Sequence, residues 1–95
     1  MKIIDVRPKA QFLEQHIKGS QNIEFNQLDD FLAKADIDED YIFVCNRGIA
    51  SMKAAKKAKS LGFNNVKSLA GGMTAWNEKY LPREKHNNCK IIDNQ

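Results

Sequence analysis

The sequence predicts an α/β domain, a mostly parallel sheet with helices on both faces. Three observations predict it. Short apolar runs alternate along the chain with segments of helical periodicity. The run Tyr41-Ile42-Phe43-Val44 is apolar throughout and bounded by polar segments, as in a central strand covered on both sides. Glycine and proline fall where one element gives way to the next.

The elements follow in order. Lys2 to Val6 reads as a short buried strand, with Ile3, Ile4 and Val6 inside, and Arg7-Pro8 ends it. Pro8 suits the start of a helix at Lys9 because its missing N–H costs nothing there. Phe12 and Leu13, with Ile17 one turn later, supply the apolar stripe of that helix. Gly19 allows a turn, and Gln21-Asn22-Ile23 adds a short strand. Asn26 is the expected N-cap of a second helix, with Asp29 in its first turn and Leu28, Phe31, Leu32 and Ala35 on its buried face.

After the polar run Asp36 to Asp40 comes the Tyr41–Val44 strand. Ala50 to Leu61 is helical, with Met52, Ala55, Ala58 or Lys59, and Leu61 on one side. Ala54 widens that side. Gly62 fits the left-handed position that closes a helix. Val66 to Leu69 is the next strand. Gly71-Gly72 makes a tight turn into a final helix carrying Met73, Trp76 and Tyr80, stopped by Pro82. Trp76 reads as core. Residues 1–82 thus form the domain and 83–95 a polar extension, in which Ile91-Ile92 fits an edge strand or a loose tail.

With 95 residues, 42% of them hydrophobic and 28% charged, the chain suits one small domain with a modest core. No apolar run approaches the roughly 20 residues needed to cross a bilayer, and Asp5 interrupts the start before a leader-like stretch develops. The expected location is cytoplasmic, with no membrane partner. The net charge of +3 is mild. Lys53, Lys56, Lys57 and Lys59 read as a solvated helix face, without the aromatic or arginine interleaving that nucleic acid requires. The two cysteines, Cys45 and Cys89, lie far apart without a CxxC, and His16 and His86 are near neither, so no metal site is expected.

Cys45 carries the chemistry. It sits by order at the carboxyl end of the most apolar strand, where α/β sheets form their binding sites. The segment Cys45-Asn46-Arg47-Gly48-Ile49-Ala50-Ser51 leads from there into a helix, and Gly48 relieves its turn. Backbone N–H groups of residues 46–51 can converge on the sulfur, aided by the helix N-terminus, and favour the thiolate. Arg47 adds positive charge and Ser51 a hydroxyl. The same residues also fit a buried structural cysteine at a strand end.

At larger scale the chain resembles the single-domain rhodaneses, a sulfurtransferase family. The resemblance runs through Ile4-Asp5-Val6-Arg7, His16-Ile17-Lys18-Gly19-Ser20-Gln21-Asn22-Ile23, and Tyr41-Ile42-Phe43-Val44-Cys45 with Gly48 and Ser51. It continues through Leu61-Gly62-Phe63 and Leu69-Ala70-Gly71-Gly72-Met73-Thr74-Ala75-Trp76. It implies a rhodanese-like α/β fold with a parallel sheet of four to five strands. It also implies that Cys45 takes a sulfane sulfur from thiosulfate or another persulfide donor, protein donors included. Cys45 then passes that sulfur to cyanide, a small thiol or a protein acceptor, with no cofactor. In the family Asp5 and Arg7 resemble scaffold residues without a chemical role.

Two departures from the family pattern bear on this. Ala50 stands where many active members have an arginine, and Arg47 supplies part of the missing field. The Asp-Val-Arg strand starts at residue 2, without the further strand and short helix that usually precede it. The sheet then has four strands, or an edge filled by the tail or a partner, and weak homodimerisation is expected from an uncovered edge. Both departures also fit a non-enzymatic sulfur-carrier or interaction domain. A cysteine phosphatase is disfavoured, because Ser51 stands where its phosphate-gripping arginine belongs. Cys89 reads as a bystander rather than a resolving thiol.

Overall fold

The computed structural model describes residues 1–80. The elements run β1 (Lys2–Asp5), α1 (Lys9–Glu14), β2 (Gln21–Asn22), a 3-10 turn (Phe25–Gln27), α2 (Leu28–Lys34) and β3 (Tyr41–Val44). They continue with α3 (Ile49–Ser60), β4 (Val66–Ser68) and α4 (Gly72–Tyr80). Four strands pair in parallel in the order β2-β1-β3-β4. Among the described residues no helix is long and apolar enough to cross a membrane. The expected stop at Pro82, the extension 83–95, Cys89 and His86 lie outside the described residues.

Side-chain alternation along β3 divides the interior into two layers. Tyr41, Phe43 and Cys45 face one way and pack with Ile4, Val6, the α2 residues Leu28 and Leu32, and the α3 residues Ala54, Ala55 and Ala58. Ile42 and Val44 face the other way, against Ile17, Leu69 and the α4 residues Met73 and Trp76. Every residue of β3 is buried, which is why its sequence shows no alternation. From β1 the chain adds β2 on one side and then β3 on the other. A crevice therefore opens between the carboxyl ends of β1 and β3.

Three local expectations change. Leu13 is 65% exposed, and α1 ends at Glu14 with no buried residue. Ile17 is buried, but in the connection beyond the helix, because Gln15 turns the chain to an extended conformation first. Asn26 does not cap α2. It lies within the 3-10 turn, whose cap is Glu24 in a reciprocal box with Gln27. On α3 the bulky Met52 is exposed, as is Leu61 just past its end, while Ser51, Ala54, Ala55 and Ala58 form the buried stripe. Small side chains let this helix lie close on the sheet. Its end follows the expectation for Gly62, which has φ 102°. The Phe63 N–H bonds to the Ala58 carbonyl at 3.1 Å and the Gly62 N–H to that of Lys59 at 3.0 Å, which closes the helix.

Beyond β1 the chain is fixed by a buried ion pair. Asp5 is 1% exposed and Arg7 7%. The Arg7 Nε donates to Asp5 Oδ1 at 3.0 Å and its Nη2 to Oδ2 at 2.8 Å. The Arg7 backbone N–H donates to Oδ1 at 3.0 Å, and Nη2 also reaches the Gln15 carbonyl at 2.6 Å. The pair holds the strand end, the turn after it and the end of α1 together. Asn22 Nδ2 adds bonds of 3.0 Å to the carbonyls of Asp5 and Arg7 from β2.

Removing Asp5 leaves the largely buried Arg7 charge without its carboxylate. Asp5→Ala is expected to lower the unfolding free energy by about 3 kcal/mol in urea titrations. A change within experimental error would contradict this role. Tyr41 makes a pH prediction. Burial, then the Glu39 and Asp36 carboxylates, raises its phenol above the ordinary value. The unfolded chain therefore releases this proton at lower pH than the folded one, and stability falls as pH rises above about 10. Tyr41→Phe should flatten that alkaline decline relative to the parent protein.

Candidate active site

Cys45 is the first residue past β3 and opens into the crevice between β1 and β3. Its sulfur accepts the Gly48 N–H at 3.0 Å and the Ser51 N–H at 3.3 Å, and lies 3.3 Å from the Ser51 Oγ. The first four N–H groups of a helix lack intrahelical partners. Gly48 occupies the cap position of α3 with no side chain to offer, and the Cys45 sulfur takes over that function for Ser51 in the first turn. Gly48 is required by its backbone: φ is 96°, a conformation strained for other residues. Of the loop 46–51, the N–H groups of Gly48 and Ser51 are the ones that reach the sulfur among the described residues. This is a narrower cradle than the sequence alone indicated.

The loop keeps this orientation because its carbonyls are held from behind. The Met73 N–H donates to the Cys45 carbonyl at 2.7 Å and the Thr74 N–H to that of Asn46 at 2.9 Å. The N-terminus of α4 thus binds the loop carbonyls and leaves its N–H groups facing the sulfur. Gly72 makes the approach feasible. A Cβ there would overlap the Cys45 carbonyl oxygen and stand 2.6 Å from the Asn46 carbonyl carbon and oxygen. Asn46 also donates to Gln11 Oε1 of α1 at 2.8 Å.

A groove of about 610 Å³ opens beside the sulfur. Val6, Pro8, Phe25, Ile49 and Ala50 form its apolar walls, with Arg7, Arg47 and Lys53 as cationic groups and no carboxylate among its lining residues. Ala50, half-buried, packs on the core beneath and contributes neither charge nor a side-chain hydrogen bond. Arg7 is committed to Asp5, so Arg47 and Lys53 supply the available positive field.

The structure thus brings Cys45 together with Arg47, Gly48, Ile49, Ala50 and Ser51, places Asn46 against α1, and sets the Asp5–Arg7 pair beneath one wall. Sequence reasoning missed Lys53, Phe25, Gly72 and Ser68. Lys53 is one helical turn beyond Ile49, and that spacing was the available signal. Ser68 is the one buried residue of β4 and its hydroxyl meets that of Ser51.

The model for the rhodanese-like domain matches residues 1–79. The chain belongs to the rhodanese-like family. It is 37% identical over 84 residues to the thiosulfate sulfurtransferase GlpE of Stutzerimonas stutzeri, covering 88% of this chain and 77% of that protein. It is 38% identical over 78 residues to the Shewanella oneidensis thiosulfate sulfurtransferase GlpE, covering 82% of this chain and 77% of the other. Among solved structures, a rhodanese-related protein of Thermoplasma volcanium superposes with a TM-score of 0.77 at 27% identity, over 85% of this chain and 80% of that one. The likeness spans the whole sheet and the cysteine loop, and the chain ranks with these relatives as a rhodanese-type sulfurtransferase.

The support behind the loop is testable. Gly72→Ala should destabilise the fold by about 2 kcal/mol, since backbone rather than a flexible side chain must move. It should also slow iodoacetamide alkylation of Cys45. Parent-like melting and alkylation would show that the loop does not depend on this contact.

Proposed function

We propose that this domain transfers sulfane sulfur through a persulfide on Cys45. The observation that carries the reading is the pair of N–H donors aimed at a sulfur that opens on a groove lined, among the described residues, by the cations Arg47 and Lys53 and by no carboxylate. In the first step the Cys45 thiolate attacks the outer sulfur of thiosulfate. The new S–S bond forms as the old one breaks, and sulfite leaves with the bonding pair. The Gly48 and Ser51 N–H groups stabilise negative charge at the reacting sulfur, in the manner of an oxyanion hole. In the second step cyanide or a thiolate attacks the outer sulfur of the persulfide, takes it, and returns Cys45 as thiolate. No metal or cofactor enters either step.

The roles of the other residues follow. Gly48 and Ser51 form the cradle, and Asn46 anchors the loop. Arg47 and Lys53 attract the anionic donor, while Ile49 and Ala50 wall the groove. Asp5 and Arg7 hold its floor in place and exchange no proton with substrate. A second reading, a sulfur carrier charged by a protein partner, is favoured by the apolar walls and by Ala50, which a small inorganic anion does not use.

The test combines turnover with intact mass. Incubation with thiosulfate should add one sulfur atom to the protein, mapped to Cys45, and cyanide should remove it with release of thiocyanate. Cys45→Ser should do neither, and parent-like turnover by this variant would refute the mechanism. Ala50→Arg separates the two readings. A rise in kcat/KM for thiosulfate of about tenfold is expected if the missing charge limits a small anionic donor. A parent-like value would favour the carrier reading.

A further inference from the structure

Ser68 lies at the end of β4, opposite Phe43 in the register, and so on the sheet face covered by α3. It is a polar side chain in a buried position, 5% exposed. Its Oγ is 2.6 Å from the Oγ of Ser51, which is itself fully buried. The Ser51 Oγ lies in turn 3.3 Å from the Cys45 sulfur. Sulfur, Ser51 and Ser68 form a chain of three polar atoms leading inward from the reacting atom.

Each hydroxyl has one proton to place. If Ser51 donates to Ser68, its lone pairs accept the proton of a Cys45 thiol, and the Ser68 proton is left without an acceptor among the described residues. Ser68 borders a shallow groove with Lys56 and Lys59, so that proton is left to whatever solvent reaches it rather than to a fixed partner. If Ser68 donates to Ser51, the Ser51 proton is directed at the sulfur and every proton in the chain is used. That second arrangement is complete only when the sulfur accepts, as a thiolate or the inner sulfur of a persulfide does. The Gly48 and Ser51 N–H groups already approach the sulfur as donors, so all the groups then act in one sense.

We propose that Ser68 is a positioning residue: its hydroxyl fixes the direction of the Ser51 hydroxyl so that Ser51 donates to Cys45. Ser68 touches no substrate and acts only through Ser51. The inference rests on the reading of Cys45 as the sulfur-carrying nucleophile, but its first test needs no sulfur transfer.

The rate of Cys45 alkylation by iodoacetamide at fixed pH is compared in the full chain, with thermal unfolding measured alongside. Ser68→Ala should react about tenfold more slowly, the scale of one weakened hydrogen bond to a charged acceptor. Ser68→Thr, which keeps the hydroxyl and suits a strand, should react within about twofold of the parent. In a Ser51→Ala background, Ser68→Ala should have no further effect, because the link to the sulfur is already gone. A parent-like rate for Ser68→Ala overturns the proposal. So does an equal slowing by Ser68→Ala with Ser51 present or absent, which would mark a role in packing alone. Thiosulfate turnover, measured separately, reports on the sulfur-transfer reading. Its failure with the alkylation pattern intact would sink that reading and leave the role of Ser68 standing.

Discussion

Two backbone hydrogen bonds govern this site: those from the first turn of α4 to the carbonyls of Cys45 and Asn46. A peptide group has a carbonyl on one side and an N–H on the other. Holding the carbonyls of a tight loop outward commits its N–H groups inward. The N–H side of the loop is therefore set by a helix none of whose described residues lines the groove. It depends on Gly72 because the backbones meet too closely for a Cβ. Met73 and Trp76, buried against β3, keep that helix end in register. Packing on one sheet face thus positions the chemistry that opens on the other.

The opposite wall of the groove is fixed by different means. The Asp5–Arg7 pair ties together the end of β1, the turn after it and the end of α1. Such buried pairs add little to stability compared with an apolar core of equal volume, and their value lies in defining one geometry. Here that geometry leaves Arg7 beside the groove with its charge already matched. Arg47 and Lys53 remain to act on a ligand.

Much of this was legible in the sequence. Tyr41–Val44 declared itself as the central strand because burial on both faces removes alternation, and Cys45 at its end was placed by strand order. Gly48 and Gly62 were readable because positive φ selects glycine. What was not legible depended on distance in three dimensions. Met52 and Leu61 carry the apolar period of α3, yet the helix turns its alanines inward because only they permit close approach to the sheet. Gly72 read only as half of a tight turn, because the loop it touches is distant in sequence. Ser68 gave no local sign, since its partner lies in another element. The short α1 offered an apolar stripe and buried none of it, because six residues ended before the chain reached the core.

The sulfur has a second occupation that its reactivity obscures. It caps α3, accepting an N–H from the helix's first turn. Cap and proposed nucleophile are the same atom, so the chemical state of one is felt by the other. By thermodynamic reciprocity, whichever form of the sulfur the cap binds more tightly also makes the start of α3 firmer. The firmness of that helix start and the chemical state of the sulfur are thus one linked quantity.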